Sequence, residues 1–201
     1  LVGENASNVS FYAFSCNDIS DAVTKKGGYI NYVLNPRTVT NENLGFHEAA
    51  EKAREYLNNH GISNMQESYY VISNGECTIN YVYEENGITC YPDLIKIGVA
   101  LDNGEIIKFD STGYIMNHHK RLLQKASISM DEAMNSVSGM LKINNSRTAI
   151  IPTSGYNEVL CYEFECTGEN NDNVLVYINA QTSMEERILV MLKSDAGILV
   201  M

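Results

Sequence analysis

The chain has 201 residues, with 14 Lys and Arg against 25 Asp and Glu, a net charge of −11 and 44% hydrophobic residues. That balance is ordinary for a folded chain and too apolar for a disordered one. Its acidity repels phosphate backbones and anionic lipid, which argues against nucleic-acid binding and polybasic membrane contact. No apolar run nears the roughly 20 residues that cross a bilayer, and no signal-peptide pattern opens the chain. Position 1 is Leu rather than Met, which reads as a truncated N-terminus.

In chain order, Tyr12-Ala13-Phe14 reads as a strand, Lys25-Lys26-Gly27-Gly28 as a hairpin turn, and YINYVLN from Tyr29 as a second strand. The apolar positions Phe46, Ala49, Ala50, Ala53, Tyr56 and Leu57 follow the spacing of an amphipathic helix, with Gly61 as its stop. Residues 78–84 alternate with period two, which predicts a half-buried antiparallel strand. Asn74-Gly75 and Asn86-Gly87 supply tight turns on either side. LIKIGVAL (94–101), the Asp102-Asn103-Gly104 turn and EIIKF (105–109) continue the sheet. The turn reads as type I′; it has too few oxygen ligands for a calcium loop.

The same six-position stripe returns 84 residues later as Met130, Ala133, Met134, Val137, Met140 and Leu141. Ser129 and Glu132 form a capping box at its start. Ser154-Gly155 then turns into the alternating strand 159–165, followed by VLVYIN (174–179) and RILVML (187–192). The expected fold class is therefore α+β. Tandem units each lay one helix on an antiparallel sheet of about four strands, with a partial unit at the N-terminus. The expected boundaries are 1–40, 41–121 and 122–201, with further chain upstream. An unrelated N-terminal hairpin is the alternative for the first segment.

Several stretches carry a family resemblance. FHEAAEKAREYL (46–57) and SMDEAMNSVSGML (129–141), with the LDNGEI turn, look like the PepSY module. KKGGYINYVLNPRTV, YPDLIKIGVALDNGEIIKFDSTGYIMNHH, IIPTSGYNEVLCYEF and LVYINAQTSMEERILVML follow in that order. Together they resemble the C-terminal region of the YpeB family of spore-germination proteins, over nearly the whole chain. The resemblance implies an N-terminal membrane anchor and a helical region outside this chain. It also implies a place on the outer face of the inner spore membrane, and mutual dependence with the spore-cortex lytic enzyme SleB. PepSY modules elsewhere are considered inhibitory, so restraint of a partner is a second implication. No catalytic residues carry over.

The residues themselves offer no catalytic or cofactor motif. His118-His119 are adjacent and diverge on an extended backbone, unlike an HExxH pair. Glu84-Glu85, Glu163/Glu165 and Glu185-Glu186 read as solvated carboxylates rather than a glycosidase pair. Five cysteines without CxxC read as small core residues, not a disulfide framework. Ser154-Gly155 is not a nucleophile elbow, and Gly27-Gly28 is not a phosphate loop. Tyrosines on an open sheet face would make good interface anchors. The candidate partner surface is Tyr91, Pro92 and Asp93 with Asn117, His118 and His119. The expected function is a non-catalytic interaction module that stabilises or restrains SleB. A direct peptidoglycan-binding or peptidoglycan-hydrolysing protein is the alternative, and a spacer is the third possibility.

Overall fold

The computed structural model describes residues 3–4, 9–122, 125–154 and 157–201. The chain divides into two compact units: residues 1–82 with 93–118, and residues 83–92 with 119–201.

The first unit begins with β1 (Gly3–Glu4), β2 (Phe11–Cys16), β3 (Ile19–Thr24) and β4 (Ile30–Leu34). Helix α1 (Phe46–Asn59) follows. Next come β5 (Met65–Ser73), β6 (Glu76–Glu85), β7 (Ile88–Ala100), β8 (Ile106–Asp110) and the short α2 (Thr112–Asn117). The strands lie in the order β1-β2-β3-β4-β8-β7-β6-β5. Asn74 and Asn86 take left-handed φ ahead of Gly75 and Gly87, the type I′ geometry that Asn-Gly favours. Gly104 has positive φ but Asn103 does not, so the Asp102–Gly104 turn is not type I′.

Helix α1 forms where the apolar stripe and strong helix formers coincide. The Glu48 carboxylate accepts from the Gly45 N–H at 2.9 Å and closes its first turn. Ala49, Ala50, Ala53 and Leu57 are buried against Cys77, Ile79 and Tyr81 of β6 and Ile95, Ile97 and Val99 of β7. Small alanines let the helix approach closely, and the Tyr81 hydroxyl reaches the Ala50 carbonyl at 3.3 Å.

Between β4 and α1 runs a strap, residues 35–44, with no regular structure. Arg37 fastens it to the turn after β7. Its guanidinium gives paired bonds of 2.8 and 2.9 Å to the Asp102 carboxylate, 2.7 Å to Glu105 and 2.9 Å to the Asn103 side chain. Asn43 and Leu44 N–H groups donate to the Leu101 carbonyl. The bond from Arg37 holds the Asp102 carboxyl below the usual carboxylate range.

The second unit holds α3 (Met130–Met134), β9 (Lys142–Pro152), β10 (Glu158–Thr167), β11 (Asn173–Asn179), β12 (Glu185–Ser194) and β13 (Gly197–Val200). The order is β13-β12-β11-β10-β9, all antiparallel. The 88–90 stretch of β7 adds to β9 in parallel. Gly155 of the expected Ser154-Gly155 turn lies outside the described residues.

The α+β expectation of tandem helix-on-sheet units with a partial N-terminal unit does not hold. Strands make up 51% and helices 13% of the described residues, so the fold is mostly β. The second stripe does not make a second long helix. The α3 capping box forms as expected: Ser129 N–H donates to the Glu132 carboxylate at 2.7 Å, and Glu132 N–H to Ser129 Oγ at 3.2 Å. The helix nevertheless stops at Met134. The next residues are Asn135, Ser136, Val137, Ser138 and Gly139, poor helix formers where α1 has Glu51-Lys52-Ala53-Arg54-Glu55. Val137 is still buried, so the stripe records contact with the sheet but not helical backbone. Of the six stripe positions only Ala133 and Val137 are buried, while Met134 and Met140 are exposed, so the period failed for conformation and held only in part for burial.

Candidate functional site

The six residues singled out in sequence fall into three local arrangements. In the first unit, Asp93 sits on β7 with no exposed surface. Its carboxylate lies 2.7 Å from His118 Nδ1. The His118 backbone N–H closes the last turn of α2 on the Tyr114 carbonyl, and this stacks the imidazole on the Tyr114 ring at 4.3 Å and 13°. Asn117 Nδ2 donates to the Gly113 carbonyl. The two predicted stretches thus meet at Asp93 and His118. Of the two stretches only His118 borders an open cavity of about 640 Å³, whose walls are Ile30, Ile62, Phe109 and Tyr114, with His60 and Ser111 as polar edges.

In the second unit, Tyr91 is half-buried and its hydroxyl donates to Glu163 Oε2 at 2.6 Å. The ring meets Tyr177 edge to face at 6.2 Å. Pro92 is buried. Glu163 was expected on a solvated face; instead it is 1% exposed. Arg147 Nε lies 2.9 Å from its Oε1 but is not aligned as a hydrogen bond, so that contact is an ion pair. A buried carboxylate needs such partners, because desolvation without them costs several kcal/mol. Glu165 is only partly exposed and pairs with Lys193 at 2.7 Å.

His119 is exposed at the edge of a 320 Å³ cleft in the second unit. Beside it Arg121, almost fully buried, grips Glu158 through two bonds of 2.8 and 2.7 Å. Four cysteines are buried, Cys16 is exposed, and all five are free thiols. Burial pushes Cys77 up to about 11 and Cys161 up to about 12, the reverse of an activated nucleophile. Among the described residues no group of three or more His, Cys, Asp and Glu could hold a metal ion. Among the described residues no helix is long and apolar enough to cross a membrane.

Sequence reasoning missed the Arg37 clamp, the buried Glu163 and the Arg121–Glu158 pair. Each joins residues far apart in the chain, where spacing carries no signal. For Glu163 a signal did exist: it falls in phase with Cys161 on β10, and both are buried.

Ion pairs and hydrogen bonds that brace strands, with apolar faces between them, define a β-rich module that presents surface. The family model "YpeB sporulation, PepSY1 and PepSY2 domains" matches residues 2–124. The "Sporulation protein YpeB" of Halalkalibacterium halodurans is 36% identical over 86% of the chain and 38% of that protein. That of Bacillus subtilis is 32% identical over 83% of the chain and 37% of that protein. The "Bacillus megaterium YpeB C-terminal domain" superposes with a TM-score of 0.81 at 26% identity, covering 95% of this chain and 88% of that one. The chain belongs to the YpeB family of sporulation proteins. It spans little more than a third of the length of these curated relatives.

Proposed function

We propose that this chain is the non-catalytic interaction module of a spore-germination protein, and that it stabilises or restrains the cortex-lytic enzyme SleB until cortex hydrolysis. The longer protein would hold it on the outer face of the inner spore membrane through an N-terminal segment. Membership of the YpeB family carries this reading. The placement of the charged side chains supports it: Asp93, Glu163, Arg121 and Arg37 all serve ion pairs that brace the fold.

Linkage supplies the mechanism. A module that binds only folded SleB adds RT ln(1 + [L]/Kd) to the enzyme's stability, about 3 kcal/mol when its concentration is about 100 times Kd. Fewer unfolded enzyme molecules then reach a protease. Restraint needs only that the bound surface cover the enzyme's cleft.

The test mixes this chain with purified SleB at micromolar concentration. Co-elution and a raised SleB melting temperature are expected. Absence of binding, by this chain and by the full-length protein alike, would defeat the proposal. Purified cortex fragments test the alternative: release of muropeptides would make the chain an enzyme, and retention without release a peptidoglycan-binding module. Either result would displace the SleB reading.

A further inference from the structure

One face of the second sheet is only partly covered. Phe164 on β10, Val176 on β11 and Ile188 on β12 are successive cross-strand partners, so their side chains share a face. The layer that contains α3 buries the β10 and β11 part of that face through Ala133 and Val137. On β12 and β13 the same face is open: Ile188, Val190, Leu192, Leu199 and Met201 are 48, 42, 49, 47 and 61% exposed. Leu192 pairs with Leu199, and Val190 exchanges backbone bonds of 2.9 and 3.0 Å with Met201, so the five form one continuous stripe. Five such side chains in one contiguous stripe are more than the scattered single apolar residues that a monomer's surface ordinarily carries.

The stripe's borders are acidic. Glu185 and Glu186, both exposed, lie at one end of β12. Exposed Glu169 and Asp172 in the β10–β11 turn, and Asp195 in the β12–β13 turn, lie at the other. Arg187 and Lys193 alternate onto the opposite face, and Lys193 is paired with Glu165 there.

We propose that this stripe docks an amphipathic helix of a partner protein, one whose apolar edge is flanked by Lys or Arg. The first unit shows what such a face accepts. There, a 14-residue helix presenting Ala49, Ala50, Ala53 and Leu57 covers the sheet. The second unit has only five helical residues in α3 and lacks that cover. A docked helix would bury its i, i+3, i+4 and i+7 side chains on the stripe and set its cations against the acidic ends. The inference rests on the interaction-module reading and adds to it the surface and the chemistry of the partner.

The probe is a synthetic Leu/Lys amphipathic helix as long as α1, titrated into the intact chain and into a Val190→Asp/Leu192→Asp variant. Both positions are solvent-exposed, and far-UV circular dichroism checks that the variant folds. We expect saturable binding that falls about tenfold or more in the variant, in a scrambled peptide of the same composition and in a Leu/Glu counterpart. Equal binding by wild type and variant, or equal binding of the scrambled peptide, would overturn the proposal. So would dimerisation of wild type that the variant abolishes, which would make a second copy the occupant. Purified SleB forms a separate arm. If SleB binds wild type and variant alike, this surface is refuted while the interaction module stands. If SleB binds neither, and the full-length protein fails to bind it too, while the peptide result holds, the SleB reading fails and the surface survives.

Discussion

Replacing Tyr91 by Phe removes one hydroxyl and leaves the carboxylate of Glu163 short of a donor. That carboxylate is almost wholly buried, and among the described residues the 2.6 Å bond from Tyr91 is its one aligned donor. A hydrogen bond to a charged group is worth about 1.5–3 kcal/mol. Arg147 continues to neutralise Oε1, so we place the loss near 2 kcal/mol, about a 30-fold change in the folding equilibrium. For a chain this long that lowers the melting temperature by about 4–8 °C. Urea denaturation should show a lower midpoint at unchanged slope. The cycle is closed in two backgrounds. In Glu163→Leu there is no carboxylate to orphan, and Tyr91→Phe should cost under about 0.5 kcal/mol. In Glu163→Gln a neutral bond remains, and the cost should be about 1 kcal/mol. A cost for Tyr91→Phe that is the same in all three backgrounds would show that the ring, not the hydroxyl, matters, and would refute the account of Glu163.

Asp102 has its folded-state pKa lowered by Arg37, so it contributes stability above its unfolded pKa of about 3.9 and loses that contribution as pH falls through the folded value. Acid unfolding followed by circular dichroism should therefore be shallower for Asp102→Asn below about pH 4, and an unchanged profile would contradict the clamp. Thiol titration of the native protein should label Cys16 rapidly and the four buried cysteines only on unfolding; fast labelling of Cys161 would show that its strand opens. A Cβ at Gly98 would lie 2.5 Å from Glu76 Oε1 and 2.9 Å from Lys108 Cβ. Gly98→Ala should cost about 1–3 kcal/mol through overpacking, read in a urea melt, and a neutral effect would show that Glu76 swings away and β8 shifts at Lys108 at no cost.

How much was legible follows from how local each signal was. Helix α1 could be read because its stripe, helix formers and Gly61 agree within one short stretch. The Asn-Gly hairpins could be read because few sequences tolerate two successive positive φ values. The second helix misled because Val137 keeps its burial after the backbone has left the helix, and periodicity reports burial only. The strand 94–101 was seen, but its continuation back to Ile88 was not; the strand runs through Pro92, a residue that strand interiors rarely hold. At the candidate site, alternation placed Glu163 among solvated carboxylates. Its burial is decided by Tyr91 and Arg147, which lie 72 and 16 positions away in the chain. Asp93 and His118 were both singled out as surface residues. Their pairing depends on how α2 ends over β7, which no single stretch of sequence encodes.

The strap of residues 35–44 has no ladder of its own, yet it is tied at both ends to one hairpin turn. That turn exists only once β7 has met β8; the middle of the strap is held separately, where the Glu42 carboxylate accepts from the Gly75 N–H of the β5–β6 turn. A backbone without ladder partners is good protease substrate whenever its ties release. Cleavage near Arg37 would therefore act as a gauge of how often the strap lets go of the β7–β8 and β5–β6 turns that hold it.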